Sequence, residues 1–423
     1  MLSLKKRLKV NDNRVLLSNF FSLSALQVMT YVFPIITFPY LVRVLGVEIF
    51  GVLAMATAMV AYLHILTDYG FDLSGTKEIS IHRDDCERVS EIFSAIMIIK
   101  SLFMLMSIVI LSVIVFSFEK FSEYWEVYFL SYGLVIGQAL FPVWFFQGME
   151  RMKYITILTI ASKTLFTILI FVLVHDKEDF LMVPLLYALG AISSGMIALY
   201  LIKKDFGVKF SWQSADTIHK YLKDGWNIFM QRLYVNLHNN MAYTLVLGLL
   251  TNDMIVGIFS IATRLIGIVG ELFKVASKVY YPYFSKRFVS DPHQAFRNLT
   301  KVIRVVLTLS TISMILLFVL NEFLLKLITG TNFNPLMVDV LQILTFGVIM
   351  LPFFTLFTNV MVAVNRSKEL KNIARDTAII NTLLIVPVIY FSGVIGLAYL
   401  SILLQIMIII RYSQIILTVN KTL

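Results

Sequence analysis

The sequence predicts an all-α polytopic membrane protein of about twelve transmembrane helices, arranged as two six-helix bundles. Three observations carry that expectation. Of 423 residues, 58% are hydrophobic and only 15% charged, against about 25% charged in a soluble domain, and mean hydropathy is +0.82. Apolar runs recur from one end of the chain to the other, each close to the roughly 20 residues that cross a bilayer. Lysine and arginine concentrate in alternate connections between those runs. No polar stretch is long enough to be a separate soluble domain.

The first span, 15–42, follows the basic stretch MLSLKKRLKVNDNR. No A-x-A-like cleavage site follows, so this end is expected to be retained in the cytoplasm and not removed as a signal peptide. Pro34 and Pro39 in VFPIITFPY each remove a backbone donor and bend the helix. Gln27, Thr30, Tyr31 and Pro34 share one face, so the bent helix either lines a path or uses its kink for packing. The second span, 48–70, holds His64 and Asp68 at i,i+4, a proton site or a plain hydrogen-bonded histidine. Spans 91–117, 124–146, 155–175 and 180–202 complete the first bundle, residues 1–202. Lys100 stands alone in the third span, where it either meets a partner or snorkels. Thr156, Thr159, Lys163 and Thr167 make a polar strip in the fifth.

Residues 203–224 are expected to be a cytoplasmic linker, and 225–423 the second bundle, with spans 225–250, 254–281, 302–320, 336–364, 373–392 and 394–417. In the first of these, Arg232, Asn236, Asn239 and Tyr243 fall within about 60° of one another on a helical wheel. Such a stripe is either interhelical hydrogen-bonding glue or a set of groups for sugar hydroxyls with a ring for a pyranose face. In 254–281, Arg264, Glu271 and Lys278 are spaced by seven and Lys274 lies near the same face. Glu271 and Lys274 make an i,i+3 ion pair or share in an anion site. Arg264 has no acid one turn away.

Orientation follows from the bases. With a cytoplasmic N-terminus, the inside segments hold 27 Lys and Arg, the outside loops only Arg43, Lys120, Lys177 and Lys326. That asymmetry is the positive-inside pattern, and it places both ends in the cytoplasm. The same distribution sets aside nucleic acid as the reason for a net charge of +10. The single cysteine, Cys86, permits no internal disulfide. His64 and His238 are isolated, without metal-ligand spacing, and no nucleotide-binding loop or other cofactor motif occurs. The largest external segment, 321–335, is too small for a catalytic domain, so an enzyme such as a membrane-embedded polysaccharide polymerase is not expected.

A shift of 206 residues lays VEIFGVLAMATAM (47–59) on DMIVGIFSIATRL (253–265), matching Ile49 with Ile255, Gly51 with Gly257, Ala56 with Ala262 and Thr57 with Thr263. Six helices return the chain to its starting side, so the halves are expected to be parallel repeats with a substrate path between them. The embedded bases Lys100, Lys163, Arg232, Arg264 and Lys274 outnumber the well-buried acids. An embedded charge costs roughly 2.5–3.5 kcal/mol to insert and therefore faces a cavity or a partner. A basic excess attracts an anion such as a diphosphate; an exporter of organic cations, the multidrug alternative, needs the reverse.

Three blocks carry a family resemblance: TDYGFDLSGTKEIS (67–80), FPVWFFQGMERMKYIT (141–156) and LVLGLLTNDMIVGIFSIATRLIGIVGELFKVASKVYYPYFSKRF (245–288). Their order and spacing resemble the O-antigen and polysaccharide flippases (Wzx type) of the MATE-like multidrug, oligosaccharidyl-lipid and polysaccharide exporter superfamily. The resemblance implies a two-bundle fold working by alternating access in the bacterial inner membrane. The implied substrate is a sugar repeat unit on undecaprenyl diphosphate, moved from the cytoplasmic to the periplasmic leaflet. It also implies membrane lipids, a polysaccharide polymerase and a chain-length regulator as partners, and a cationic central cavity with Arg264 as its basic residue in helix 8. Extending that cavity to Lys100, Lys163, Arg232 and Lys274 rests on the helical stripes, as do Asn236, Asn239, Tyr243, Gln27 and Tyr31 as polar lining. Asp68, Glu271 and His64 are the candidates for ion coupling.

Overall fold

The computed structural model describes residues 2–237, 240–330 and 333–422; within these, the side chains of 2–18, 20, 21, 23, 31, 275, 276, 278–283, 285, 286, 289, 421 and 422 lie outside the described set. The described elements are all helical. Two compact units divide the chain: Met1–Leu45 with Ala56–Leu233, and Gly46–Met55 with Tyr234–Leu423.

The first unit takes its helices from α1 (Leu2–Asp68), α2 (Phe71–His82), α3 (Cys86–Ser117), α4 (Glu119–Ser122), α5 (Trp125–Leu140), α6 (Val143–Gly148), α7 (Met152–Leu173), α8 (Met182–Phe206) and α9 (Ala215–Asn236). The second contains α10 (Asn240–Leu250), α11 (Asp253–Ser290), α12 (Pro292–Val319), α13 (Asn321–Thr329), α14 (Pro335–Thr345), α15 (Leu351–Ala363) and α16 (Ser367–Thr422). Among the described residues, nine helices are long and apolar enough to cross a membrane. Two of them, Ser24–His82 and Ser367–Asn420, run for 59 and 54 residues, far more than one crossing needs. Each is divided by a non-helical glycine, Gly46 at φ 81° and Gly393 at φ 58°, a left-handed turn that glycine makes without steric cost. These breaks fall where the sequence separates spans 15–42 from 48–70 and 373–392 from 394–417.

One expected span is corrected. The run 225–250 is not one helix: α9 ends at Asn236 and α10 begins at Asn240. Asparagine side chains compete for nearby backbone groups and weaken helix interiors, and VNLHNN places three asparagines within five residues. The expected Arg232–Asn236–Asn239–Tyr243 stripe therefore does not lie along one helix, and Asn239 is outside the described residues, as is His238. Part of the expected linker is also ordered, since Ala215 opens α9.

Helix starts follow local capping. The Asp85 carboxylate accepts from the Glu87 and Arg88 amides at the start of α3, Asn252 caps α11 through Ile255, and Asp291 caps α12 through Gln294; each satisfies backbone donors that a helix N-terminus leaves unpaired. Leu102, Leu105, Val109, Val113 and Phe116 form one stripe of α3 and are each more than half exposed. A continuous apolar stripe turned outward is what hydrocarbon surroundings permit. The core of the first unit is built on Phe71, Ile79, Phe93, Trp144, Phe145 and Phe146, that of the second on Phe284, Phe288, Phe296, Leu356, Phe357 and Met361.

The repeat has two physical signatures. In the second unit, a Cβ on Gly51 would lie 2.0 Å from the Asp253 carbonyl oxygen, and one on Gly257 would lie 2.0 Å from that of Val47. Residues 47 and 253, and 51 and 257, are partners at the 206-residue shift, so the matched segments cross reciprocally, glycine against the other's first turn. A second signature was not visible in the alignment. Glu150 and Asn365 both have positive φ, 57° and 59°. Around each, the amide bonds three residues back (Glu150 to Gln147, Asn365 to Val362) and the next amide bonds five back (Arg151 to Phe146, Arg366 to Met361). This is one helix-ending turn, present once in each unit among the described residues and followed each time by Arg-x-Lys.

Candidate functional site: a buried charge cluster and a polar cavity

In the first unit, α1 ends at Asp68 and the chain reverses through Tyr69 (φ 49°) and Gly70 (φ 81°) before α2 begins at Phe71. Gly70 is required on two counts, its conformation and its neighbour, since a Cβ there would meet Ile228 Cγ2 at 2.6 Å. Tyr69 stacks on Phe229 with centroids 4.8 Å apart, and Gly225 clears space for the Tyr69 ring. The TDYGFD turn is thus the seat on which α9 docks, and docking brings Arg232 to the acids at either side of the turn. Asp68 Oδ1 accepts from Lys100 Nζ at 3.2 Å and Asp68 Oδ2 from Arg232 Nη1 at 2.9 Å. Arg232 Nη2 also donates to Asp72. Lys100 is 2% and Asp68 6% exposed.

Two carboxylates and two bases make this cluster neutral, so Lys100 and Arg232 are not two uncompensated cations. Below it, the two motif blocks of the first unit pack as one piece. The Thr76 hydroxyl donates to the Trp144 carbonyl at 3.2 Å. A Cβ on Gly75 would press on Trp144 and one on Gly148 on Ile79. Asn19 of α1 closes the same region, donating to the Glu150 carbonyl and accepting from the Met152 amide. The Trp144–Gln147–Gly148 block therefore supports the seat of the cluster and contributes packing.

The second unit encloses a cavity of about 300 Å³ whose wall includes Thr263, Gly267, Gly270, Glu271 and Lys274 of α11. Spacings of three, four and seven place these on one helix face. Asn240, Thr355, Ser401 and Gln405 add polar groups from α10, α15 and α16. Gly267 faces open space, with nothing within 4 Å of where its Cβ would be. Lys274 Nζ lies 2.6 Å from Glu271 Oε1, the i,i+3 pair of the two alternatives the spacing left open. Arg264 is exposed, its guanidinium 5.9 Å from the centre of the Phe50 ring.

Placement revises the charge count made on the sequence. Of the five embedded bases, Lys100, Arg232 and Lys274 are ion-paired. Lys163 is half-buried on α7, within the first unit. The spacing offered Asp68 only His64 as a partner, and nothing in one sequence shows that Asp68 meets a base 164 residues away. Tyr243 is buried, 3% exposed, with its ring 6.2 Å from Phe259. Asn236 closes α9, and Gln27 and His64 are half-buried on α1; the side chain of Tyr31, like that of Lys278, is outside the described set. Thr263, Thr355, Ser401 and Gln405 escaped the sequence reading, because isolated small polar residues are common in membrane helices and only the tertiary fold converges them. Among the described residues no three His, Cys, Asp or Glu side chains form a metal-binding group.

The family model described as polysaccharide biosynthesis protein matches residues 16–288. The chain belongs to that family. A protein of Escherichia coli (strain K12) described as "Putative O-antigen transporter" is 25% identical over 395 residues, covering 92% of this chain and 94% of its own. One of Shigella dysenteriae with the same description is 28% identical over 256 residues, covering 60% of this chain and 64% of its own. Among solved structures, an inward-facing multidrug resistance MATE family transporter of the MOP superfamily superposes with TM-score 0.66 at 12% identity, covering 93% of this chain and 99% of that one. An outward-facing MATE family transporter gives 0.60 at 11%, covering 94% of each. At such identities the likeness shows the fold: this member of the polysaccharide biosynthesis family has a MATE-like fold, and its long apolar helices make it a multi-pass membrane protein.

Proposed function

We propose that this protein is a flippase that carries undecaprenyl-diphosphate-linked O-antigen or other polysaccharide repeat units from the cytoplasmic to the periplasmic leaflet by alternating access. The observation that carries the reading is the near end-to-end alignment with the E. coli protein, 92% of one chain and 94% of the other. Among the described residues every element is helical, and the longest external segment read from the sequence, 321–335, is too small for a catalytic domain; both support transport over polymerisation. The 27-to-4 split of loop bases supports an inner-membrane protein with both ends in the cytoplasm. A polysaccharide polymerase and a chain-length regulator are the partners this role implies.

Within that reading the diphosphate docks on Arg264 of the second unit, while the lipid tail stays in the bilayer. The polar wall of the α11 cavity supplies donors and acceptors of the kind that sugar hydroxyls use. Lys100 and Arg232 act with Asp68 and Asp72: protonation of Asp68 would loosen both ties, which makes the Asp68–His64 turn the first candidate for ion coupling and Glu271 the second. The test is Arg264→Ala in a strain lacking its own flippase. Surface polysaccharide on a gel should fall at least tenfold with the protein level unchanged in membranes. Full-length polysaccharide at normal yield would remove Arg264 from the mechanism.

A further inference from the structure

We propose that the first unit carries a binding site for an anionic phospholipid, formed where α3, the end of α8 and the segment 207–210 meet. The groove there has a volume of about 700 Å³ and an apolar wall that includes Phe93, Met97, Leu199 and Ile202. Two bases, Lys203 and Lys209, line the same groove, and both are exposed. The wall suits an acyl chain and the two ammonium groups suit a phosphate headgroup, an arrangement by which basic pockets between membrane helices select anionic lipids.

The position of Lys209 is built into the backbone. Its amide donates to the Ser90 hydroxyl at 3.2 Å, the Ser94 hydroxyl reaches its carbonyl, and the Ser211 amide donates to Ser94 at 3.0 Å. The strap after α8 is thereby fastened along α3, with Val208 buried beneath it. The one acid of this stretch, Asp205, is engaged by the Tyr154 hydroxyl at 2.9 Å. Phe210 and Trp212 follow, 56% and 83% exposed, and aromatic rings so placed mark the boundary between hydrocarbon and headgroups. Leu102 and Tyr200, each next in sequence to a residue of the groove wall (Ser101 and Leu199), and Met196, three residues before Leu199, are exposed. This site is independent of the transported substrate and needs only that the chain sits in a bilayer.

Native mass spectrometry of the full-length protein in detergent, titrated with phosphatidylglycerol or with phosphatidylcholine of the same acyl chains, reads the preference directly. Wild type is expected to retain phosphatidylglycerol over phosphatidylcholine. The Lys203→Ala/Lys209→Ala variant should lose about fivefold in retention per lysine, the Arg pair at the same positions should keep the preference, and Lys326→Ala on α13 should leave it unchanged. Equal retention of both lipids by wild type, or an unchanged preference in the double alanine variant, overturns the proposal. So does displacement of the lipid by glycerol phosphate, which would mean a site for soluble anions.

Discussion

Replacing Asp68 by Asn removes the one charge shared by two bases and keeps the side-chain volume. Arg232 retains Asp72, whereas Lys100, 2% exposed, loses the carboxylate 3.2 Å from its ammonium. Removing one partner of a buried ion pair typically costs about 3–5 kcal/mol, because the remaining charge stays desolvated. For domains of this unit's size each kcal/mol moves the melting midpoint by about 2–4 °C, so a drop on the order of 10 °C is expected. The assay is thermal unfolding in detergent, followed by size-exclusion chromatography of heated samples. Lys100→Met in the Asp68→Asn background replaces the stranded ammonium by an apolar chain of similar length and should restore most of the loss. An Asp68→Asn protein that melts with wild type, or a double variant no more stable than Asp68→Asn, would refute the assignment of Lys100 to Asp68.

The reciprocal crossing of the repeat makes Gly51→Ala and Gly257→Ala equivalent perturbations, each driving a methyl into a carbonyl 2.0 Å away. Overpacking of this kind costs about 1–3 kcal/mol or more, and both variants should show similarly reduced yields of monodisperse protein; a tolerated change at either site would break the symmetry. Gly267→Trp fills the α11 cavity from a position with open space around it. Gly267→Ala should be stabilising by up to about 1 kcal/mol, as loss of a mid-helix glycine is, while Gly267→Trp should lower surface polysaccharide at least tenfold at an unchanged melting midpoint.

The fold was legible because hydropathy and glycine act locally. Gly46 and Gly393 divide long helices where the apolar pattern breaks, and a left-handed residue between two helices needs no tertiary information. The same locality misled at 225–250, where VNLHNN reads as a polar face if the helix is continuous and as a break if the asparagines win their backbone contacts. The charge cluster lay beyond reach for a different reason. Hydropathy places Asp68 at the end of a span and Asp72 just beyond it, and only the docking of α9 on Tyr69 and Gly70 brings Arg232 to them. Counting embedded bases therefore overstated the free positive charge, because three of the five have acidic partners and two of those partners come from distant sequence. On α11 the result was reversed: Glu271 and Lys274 pair at the local i,i+3 spacing, as one of the two readings of that spacing expected.

Proteoliposomes read out directly whether the protein moves a lipid-linked glycan across the bilayer. A fluorescently labelled oligosaccharide on undecaprenyl diphosphate is placed in both leaflets, and the fraction reached by an impermeant quencher is followed over time. Wild-type vesicles should expose the inner pool to the quencher, and vesicles with Arg264→Ala should do so at least tenfold more slowly. Quenching that stops at the outer pool in wild-type vesicles, as in protein-free ones, would rule out the flippase reading.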